Sequence, residues 1–160
     1  MATRRPEGVT AYMLSLRTPA SVRLIVLDTD VLVSALLSGG GAGREVLRRC
    51  IQGTYRPLLG AALFAQYESV MAREALFRGC ALSALERETV FDALLGACRW
   101  TQVYYLWRPN LPDESDNHII ELAVAGGAEA VVTGNVKDFR KGGLRFPRLA
   151  VLTPRQLIGE

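Results

Sequence analysis

Cysteine is scarce in this sequence, and the few cysteines form no pattern that binds metal or builds disulfides. Cys50, Cys80 and Cys98 are the three cysteines among 160 residues, and no two of them form a C-x-x-C pair. An odd number of widely spaced thiols fits reduced, packed side chains better than a disulfide framework or a zinc site. We therefore assign the cysteines no chemistry.

The sequence also lacks a long uncharged apolar run. Residues 22–37 read VRLIVLDTDVLVSALL and are interrupted by Asp28 and Asp30. They fall short of the roughly 20 apolar residues that a membrane-spanning helix needs. The first 20 residues contain arginines but no apolar core of the kind found in signal peptides. We expect no membrane span and a cytoplasmic location.

Positive charge exceeds negative charge only slightly. The formal net charge is +3, and residues 1–20 contribute +2 of it, because they contain three arginines and one glutamate. This basic tail alone is weak evidence for a nucleic-acid partner. A second basic segment, residues 137–155, contains six Lys or Arg side chains against one acid. It can bind phosphates or simply be a solvated surface.

The length and composition fit one compact domain. Hydrophobic residues make up 49% and charged residues 22% of the 160 residues, which is enough apolar surface for one buried core. We expect residues 21–160 to form this domain and residues 1–20 to form an N-terminal arm, which can be disordered.

Strand-like and helix-like segments alternate along the chain. Residues 22–27, VRLIVL, are apolar apart from one arginine, as expected of a parallel strand covered on both faces. The other predicted strands are residues 55–60, 102–106, 130–133 and 149–153. Predicted helices cover residues 31–37, 44–52, 61–77 and 116–125, and two more begin at Ser83 and Thr153. This alternation predicts an α/β fold with helices on both faces of a parallel sheet.

Acidic residues stand where predicted strands and helices meet. Asp28 follows the first strand, and ligands of α/β folds bind at the carboxyl ends of strands. Asp138 follows the strand at residues 130–133, Asp116 begins a helix, and Glu68 lies within one. Each of these three acids has a purely structural alternative. Asp138 can be a turn residue, Asp116 a helix N-cap and Glu68 a solvated helix residue.

The four acids together predict a metal site. Converging carboxylates repel one another and raise each other's pKa unless a cation lies between them. A ligand set that consists of oxygen atoms suits Mg²⁺ or Mn²⁺ rather than zinc.

Four stretches of the sequence resemble the PIN domain family, in particular small prokaryotic PIN proteins that are toxins of toxin-antitoxin pairs. The resemblance covers residues 23–158 and rests on LIVLDTDVLVSALL, FAQYESVM, LPDESDNHIIELAVAGGAEAVVTGNVKDF and LAVLTPRQLI. The third stretch is the most specific, because an acid opens a small-residue helix that is followed by a strand and by T-G-N-x-x-D-F.

The resemblance implies a fold, an activity and a set of site residues. The fold is a three-layer α/β/α sandwich with a central parallel sheet, and the activity is that of a ribonuclease dependent on Mg²⁺ or Mn²⁺. The implied catalytic acids and metal ligands are Asp28, Glu68, Asp116 and Asp138. The implied supporting residues are Thr133 and Asn135. The implied partners are an RNA substrate and a small antitoxin protein, and small α/β proteins of this kind commonly form symmetric homodimers.

Two further features concern the surroundings of these acids. Where the family usually has D-T-N, this chain has Asp28-Thr29-Asp30, which adds a fifth carboxylate near the implied site. Candidates for contacts with substrate phosphates lie beside Asp138, and they are Lys137, Arg140 and Lys141.

Two alternative functions remain open from the sequence. VLDTDVL also resembles the D-x-D loop of haloacid-dehalogenase-like phosphatases, in which Asp28 would be the nucleophile and Asp30 the general acid and base. That fold needs a later acidic pair, and Glu160 is the one acid after Asp138. The other alternative is an inactive PIN domain that acts as a binding module. Loss of a ligand acid would favour it, and all four acids are present.

Overall fold

The structure is a computed structural model that describes residues 22–104, 117–140 and 148–159. The predicted N-terminal arm, Asp116 and Lys141 lie outside these ranges, as does the side chain of Arg140. Within the described ranges, no helix is both long enough and apolar enough to cross a membrane.

A parallel sheet forms the centre of the described part, with five strands in the order β3-β2-β1-β4-β5. The strands are β1 (Arg23–Leu27), β2 (Tyr55–Leu59), β3 (Arg99–Trp100), β4 (Ala130–Val132) and β5 (Ala150–Leu152). The chain adds β2 and β3 on one side of β1, and later adds β4 and β5 on the other. The order therefore reverses between β1 and β4, where open α/β sheets form a ligand-binding crevice at the carboxyl ends of the strands.

Helices connect the strands and complete the predicted α/β/α sandwich, which is confirmed. The described part contains one 3₁₀-helix (Glu74–Phe77) and seven α-helices: α1 (Thr29–Leu37), α2 (Ala42–Ile51), α3 (Ala61–Met71), α4 (Ala84–Ala97), α5 (Asn117–Gly126), α6 (Val136–Arg140) and α7 (Pro154–Ile158). The predicted capping box is present, with Ser83 and Glu86 opening α4. Thr153 is the N-cap of α7 and Pro154 its first residue, as predicted, and Gln156 completes a second capping box that was not predicted.

The two strands beside the crevice are also the most deeply buried. Ile25, Val26 and Leu27 of β1 are at most 1% exposed, and every residue of β4 is 0% exposed. Burying apolar side chains on both faces contributes about 25 cal/mol for each Å² removed from water. The core thus fixes the ends of β1 and β4, and the side chains that follow them, in a rigid part of the molecule.

The prediction for the third strand was wrong in position. The strand was expected at residues 102–106, but β3 is Arg99–Trp100, residues 102–104 are irregular, and residues 105 and 106 lie outside the described part. β3 pairs with Leu58 and Leu59, and Thr101 N–H donates to Leu59 O at 2.8 Å. β2 ends at Leu59 and α3 begins at Ala61, so β2 offers no further strand backbone to pair with.

Two helices also differ from the expectation. The helix expected over residues 61–77 ends at Met71, and the 3₁₀-helix that follows places Phe77 in the core, where the Arg87 guanidinium lies 4.6 Å from its ring centre. The short helix α6 was not predicted, because its five residues are too few to show a helical period.

Candidate active site

Asp28 lies at the carboxyl end of β1, on the crevice between β1 and β4. Its backbone N–H donates to Val132 O at 2.9 Å, which continues the β1–β4 ladder by one residue. Asp28 is 8% exposed and is the N-cap of α1. Its side chain accepts a hydrogen bond from Thr29 N–H at 2.7 Å. The residue thus ends a strand, begins a helix and presents a carboxylate at the crevice.

Thr133 holds the same carboxylate from the opposite side of the crevice. It follows β4, is 0% exposed, and its backbone N–H donates to Leu152 O at 2.9 Å. Its hydroxyl donates to Asp28 Oδ2 at 2.8 Å and accepts from Asn135 N–H at 3.0 Å. Because an ionised carboxylate can only accept hydrogen bonds, the hydroxyl proton is directed at Asp28. The structure thus places Thr133, one of the predicted supporting residues, in contact with Asp28.

Asn135 connects Thr133 to the fourth predicted acid. Its side-chain amide Nδ2 donates to Asp138 Oδ2, while its backbone N–H donates to Thr133. Asp138 lies on α6 and is partly exposed. A continuous chain of hydrogen bonds therefore joins Asp28, Thr133, Asn135 and Asp138. The structure brings together two of the predicted acids and both predicted supporting residues.

Asp30 is the fifth carboxylate, and it also contacts the segment after β4. It lies in the first turn of α1, and its Oδ2 accepts from Gly134 N–H at 2.9 Å. Partial removal from water raises the pKa of Asp30 above its usual value, and hydrogen bonds from the backbone of Gly134 and Val31 oppose that shift.

Glu68 lies apart from this hydrogen-bonded chain, on the exposed surface of α3. The residues just before it attach α3 to the end of β1. The Tyr67 hydroxyl donates to Leu27 O at 2.6 Å, and Thr29 donates its hydroxyl proton to Gln66 Oε1 at 2.9 Å. The backbone around Glu68 is thus fixed near the crevice, while its carboxylate faces solvent.

The complete predicted ligand set is not assembled within the described residues. Among residues 22–104, 117–140 and 148–159, no three His, Cys, Asp or Glu side chains lie together in a group that could hold a metal ion. Asp116, the remaining predicted ligand, lies outside these ranges. Of the predicted phosphate contacts, Lys137 is exposed on α6 beside Asp138, whereas Lys141 and the side chain of Arg140 are not described.

A cavity of about 520 Å³ lies beside the crevice, at the carboxyl ends of β2 and β3. Its walls are the start of α3, the segment after β3 and the first two turns of α5. His118 contributes to the α5 wall, and burial lowers the pKa of its imidazole. Both of its ring nitrogens are buried without a hydrogen-bond partner in the described part of the chain.

Sequence reasoning missed two side chains that build this site, Gln66 and Tyr67, and it missed the contact that Asp30 makes with Gly134. Tyr67 and Gln66 contact β1 and α1 across 40 and 37 residues of chain, and Asp30 contacts Gly134 across 104 residues. Tyr67 and Gln66 precede Glu68 directly, so their place beside a candidate ligand was the one available signal. For Asp30 the signal was the departure from D-T-N.

Neutral groups orient carboxylate oxygens at the crevice. Asp28 accepts hydrogen bonds from the Thr133 hydroxyl and the Thr29 backbone N–H, and Asp30 accepts one from the Gly134 backbone N–H. Such donors fix the direction of the oxygen lone pairs. Carboxylates held in this way have the ligand chemistry of a site for a hard divalent cation.

The sequence matches the PIN domain family over residues 24–137. A comparison with curated proteins found no match. A solved structure, that of VapBC2 from Rickettsia felis bound to a DNA fragment from its promoter, is similar to this chain with a TM-score of 0.51. The two are 15% identical, and the alignment covers 80% of this chain and 96% of that one. At this identity the similarity supports the fold alone.

The family match favours the PIN domain over the phosphatase fold as the setting of Asp28 and Asp30. It covers well over half of the chain and includes β1, the crevice, α5 and the Thr133–Asn135 segment. PIN domains are generally nucleases. The residue range and the parallel sheet together establish that this chain belongs to the PIN domain family.

Proposed function

We propose that this protein is a metal-dependent ribonuclease that hydrolyses phosphodiester bonds in RNA. The observation that carries the proposal is the chain of hydrogen bonds from Asp28 through Thr133 and Asn135 to Asp138, at the reversal of strand order. A purely structural aspartate at the end of β1 needs only its cap contact with α1. Here, neutral donors orient two acids on opposite sides of one crevice.

The proposed metal ligands are the four acids Asp28, Glu68, Asp116 and Asp138, and the proposed ion is Mg²⁺ or Mn²⁺. Carboxylate oxygens are the ligands that these hard cations prefer. Cys50 and Cys98 do not compete for this role, because burial raises the pKa of each thiol to about 12. A bound divalent ion would make a bound water more acidic and would stabilise the charge that develops at the phosphate.

The protein's own residues have separate tasks in this proposal. Thr133 fixes the orientation of Asp28, and Asn135 fixes that of Asp138. Partners of this outer kind orient the ligands and tune their basicity. Glu68, which is exposed, and Asp138, which is partly exposed, complete the site, and one of them orients the attacking water.

Substrate binding in this proposal uses the basic segment beside Asp138. Lys137 is exposed on the same short helix, and Arg140 and Lys141 follow it in sequence. Their charges would contact phosphates and position the RNA strand without recognising its sequence.

The proposed biological role is that of the toxin in a toxin-antitoxin pair. Support comes from the family match and from a structural neighbour named as VapBC2 and bound to promoter DNA. The proposed partners are a small antitoxin protein and a second copy of this chain, and the proposed location is the cytoplasm. Expression of the wild-type chain should slow growth, and Asp116→Asn should relieve the effect at equal protein levels. Equal toxicity of both forms would remove the role.

The direct test is cleavage of labelled single-stranded and structured RNA by the full chain. We expect cleavage with Mg²⁺ or Mn²⁺, loss of cleavage in EDTA, and recovery when the ion is restored. Asp92→Asn on α4 is a matched control, because Asp92 is exposed and lies outside the crevice. Full activity in EDTA would contradict metal dependence, and an inactive wild type that still binds RNA would support the binding-module alternative.

A further inference from the structure

Asp30 contacts the segment after β4 through a single, well-defined hydrogen bond. Its Oδ2 accepts from Gly134 N–H at 2.9 Å, and the two residues are separated by 104 positions in sequence. The bond spans the crevice two residues after Asp28 on one side and one residue after Thr133 on the other. It therefore runs beside the bond from Thr133 to Asp28.

A side chain at residue 134 would displace the Asp30 carboxylate. A Cβ built at this position would lie 2.7 Å from Asp30 Oδ2, which is closer than such atoms come in proteins. Gly134 is not among the glycines with positive φ, so its backbone conformation does not itself require glycine. Glycine therefore lets the Asp30 carboxylate stay at hydrogen-bond distance from the Gly134 N–H.

Gly134 lies between the two residues that hold the predicted acids. On one side of it, Thr133 donates to Asp28, and on the other side, Asn135 donates to Asp138. Any shift of the Gly134 backbone would move both donors, because they are its direct neighbours in the chain. Fixing Gly134 to the first turn of α1 therefore fixes the position of both acids relative to one another.

We propose that Asp30 is a positioning residue that fastens the Thr133–Asn135 segment to the start of α1 and thereby sets the separation of Asp28 and Asp138. This inference rests on the proposed nuclease function and deepens it. What the geometry uses is an oxygen acceptor at residue 30, which the side-chain carbonyl of asparagine also supplies. Asp30 therefore accepts the same hydrogen bond from Gly134 N–H that an asparagine in the D-T-N pattern could accept. In this proposal Asp30 is not a fifth metal ligand.

A double-mutant cycle tests the shared contact. Asp30→Ala removes the acceptor, and Gly134→Ala displaces it by the clash with Oδ2. Each change should lower kcat and Mn²⁺ affinity by about tenfold, the lower end of the usual effect of losing a partner that orients a ligand. The double variant should lose about tenfold and not about a hundredfold, because both changes remove one contact. Asp30→Asn should keep kcat and Mn²⁺ affinity close to those of the wild type.

A second measurement needs neither RNA nor metal. In ¹⁵N-edited NMR spectra of the metal-free chain, the Gly134 amide proton should be shifted downfield and protected from exchange. Both properties should persist in Asp30→Asn and disappear in Asp30→Ala, where the Asn135 side-chain amide should shift as well. Thermal unfolding of each variant shows whether it is folded, and Asp30→Ser replaces Asp30→Ala if the latter is not.

Two results would overturn the proposal. One is a loss of Mn²⁺ affinity in Asp30→Asn as large as that in Asp28→Asn, since Asp30 would then be a ligand. The other is losses that multiply in the double variant. The amide measurements are made on metal-free protein, so they test the Asp30–Gly134 hydrogen bond even if the wild type cleaves no RNA, an outcome that would remove the nuclease function alone.

Discussion

Two groups of carboxylates in this molecule are held in opposite ways. Glu45 on α2 accepts hydrogen bonds from the guanidinium groups of Arg48, at 2.6 and 2.8 Å, and Arg49, at 2.8 Å. These bonds lower the pKa of Glu45 to about 2. At the crevice, Asp30 accepts from a backbone N–H, and partial burial raises its pKa.

The difference separates a structural acid from an acid available for chemistry. Guanidinium groups orient a carboxylate and also neutralise it, so Glu45 has its counter-charges within the protein. At Asp30 the Gly134 backbone N–H orients the oxygen and leaves the negative charge in place. The hydrogen bonds that Asp28 accepts from Thr29 and Thr133 also come from uncharged groups. A negative charge left in place attracts an external cation, which is what the proposed function requires.

The largest expected effect is the difference in RNA cleavage rate between neutralising Asp28 and neutralising Glu45. Asp28→Asn should lower RNA cleavage by more than about 100-fold, because ligand changes exceed the 10–100-fold cost of losing a partner that orients a ligand. Glu45→Gln should leave the cleavage rate unchanged, because the partners of Glu45 are Arg48 and Arg49 on its own helix. Single-turnover rates at saturating enzyme measure both. Similar rates for both variants would erase the proposed distinction.

Metal binding should stabilise the wild type and depend on the crevice acids. A ligand that binds only the folded state at about 100 times its dissociation constant stabilises by roughly 2.7 kcal/mol. We expect Tm to rise with Mn²⁺ and the rise to shrink in Asp28→Asn, Asp116→Asn and Glu68→Gln. The matched control is Glu88→Gln, which changes an exposed acid on α4.

Glu68→Gln is the most informative of these variants. Glu68 is exposed and lies outside the chain of hydrogen bonds that joins Asp28 and Asp138, so its part in the site rests on the family resemblance. A Glu68→Gln protein with a full Mn²⁺-induced rise in Tm and full cleavage would remove Glu68 from the proposed site.

A smaller effect should follow from removing the neutral donor itself. Thr133→Val keeps the shape of the side chain but deletes the hydroxyl that donates to Asp28 and accepts from Asn135 N–H. Leaving a buried polar group without its partner costs about 1–3 kcal/mol. We expect that loss in chemical denaturation and a 10–100-fold decrease in Mn²⁺ affinity. Thr101→Val, which changes a partly buried threonine after β3, is the control.

The sequence predicted those parts of the fold whose signals are local. β1 and β4 are apolar on both faces and were predicted nearly in full. The capping box located the start of α4, and Thr153 followed by Pro154 located the start of α7. The predicted position of β3 was wrong because the place of this strand depends on where its partner β2 ends. That is a property of the strand pairing and not of the β3 segment itself. The five-residue helix α6 carried no periodic pattern.

The site was predictable only in part for the same physical reason. Asp28 could be assigned to the rim because a strand end is a local feature. Its hydrogen bond with Thr133 joins residues 105 positions apart. The family resemblance, and not the residue pattern, implied that Thr133 supports the site, and the bond itself was not predicted. The contact of Asp30 with Gly134 had no local signal in the Gly134 segment, since a glycine before Asn135 also fits an ordinary turn.

The smallest expected effect, and the sharpest for the comparison, is opposite pH dependence of Glu45 and Asp30 in the metal-free protein. The folded pKa of Glu45 lies below its usual value, at about 2. Its contribution to stability is therefore present at neutral pH and is lost as pH falls from the unfolded value of 4.5 through about 2. Glu45→Gln should consequently be slightly less stable than the wild type at pH 7, and the difference should vanish in acid.

Asp30 should behave in the opposite sense, because its folded pKa is raised above 3.8. The folded state then binds the proton more readily than the unfolded chain, so the ionised carboxylate lowers stability at neutral pH and this cost disappears as pH falls through the folded pKa. Asp30→Asn keeps the oxygen acceptor for Gly134 and removes the charge, so it should equal or exceed the wild type in Tm at pH 7. Melting curves from pH 7 down to the acid limit of reversible folding measure both differences, with ¹³C carboxyl titrations to assign them. A Tm for Asp30→Asn below that of the wild type, by as much as for Glu45→Gln, would show that the two groups of acids are stabilised in the same way.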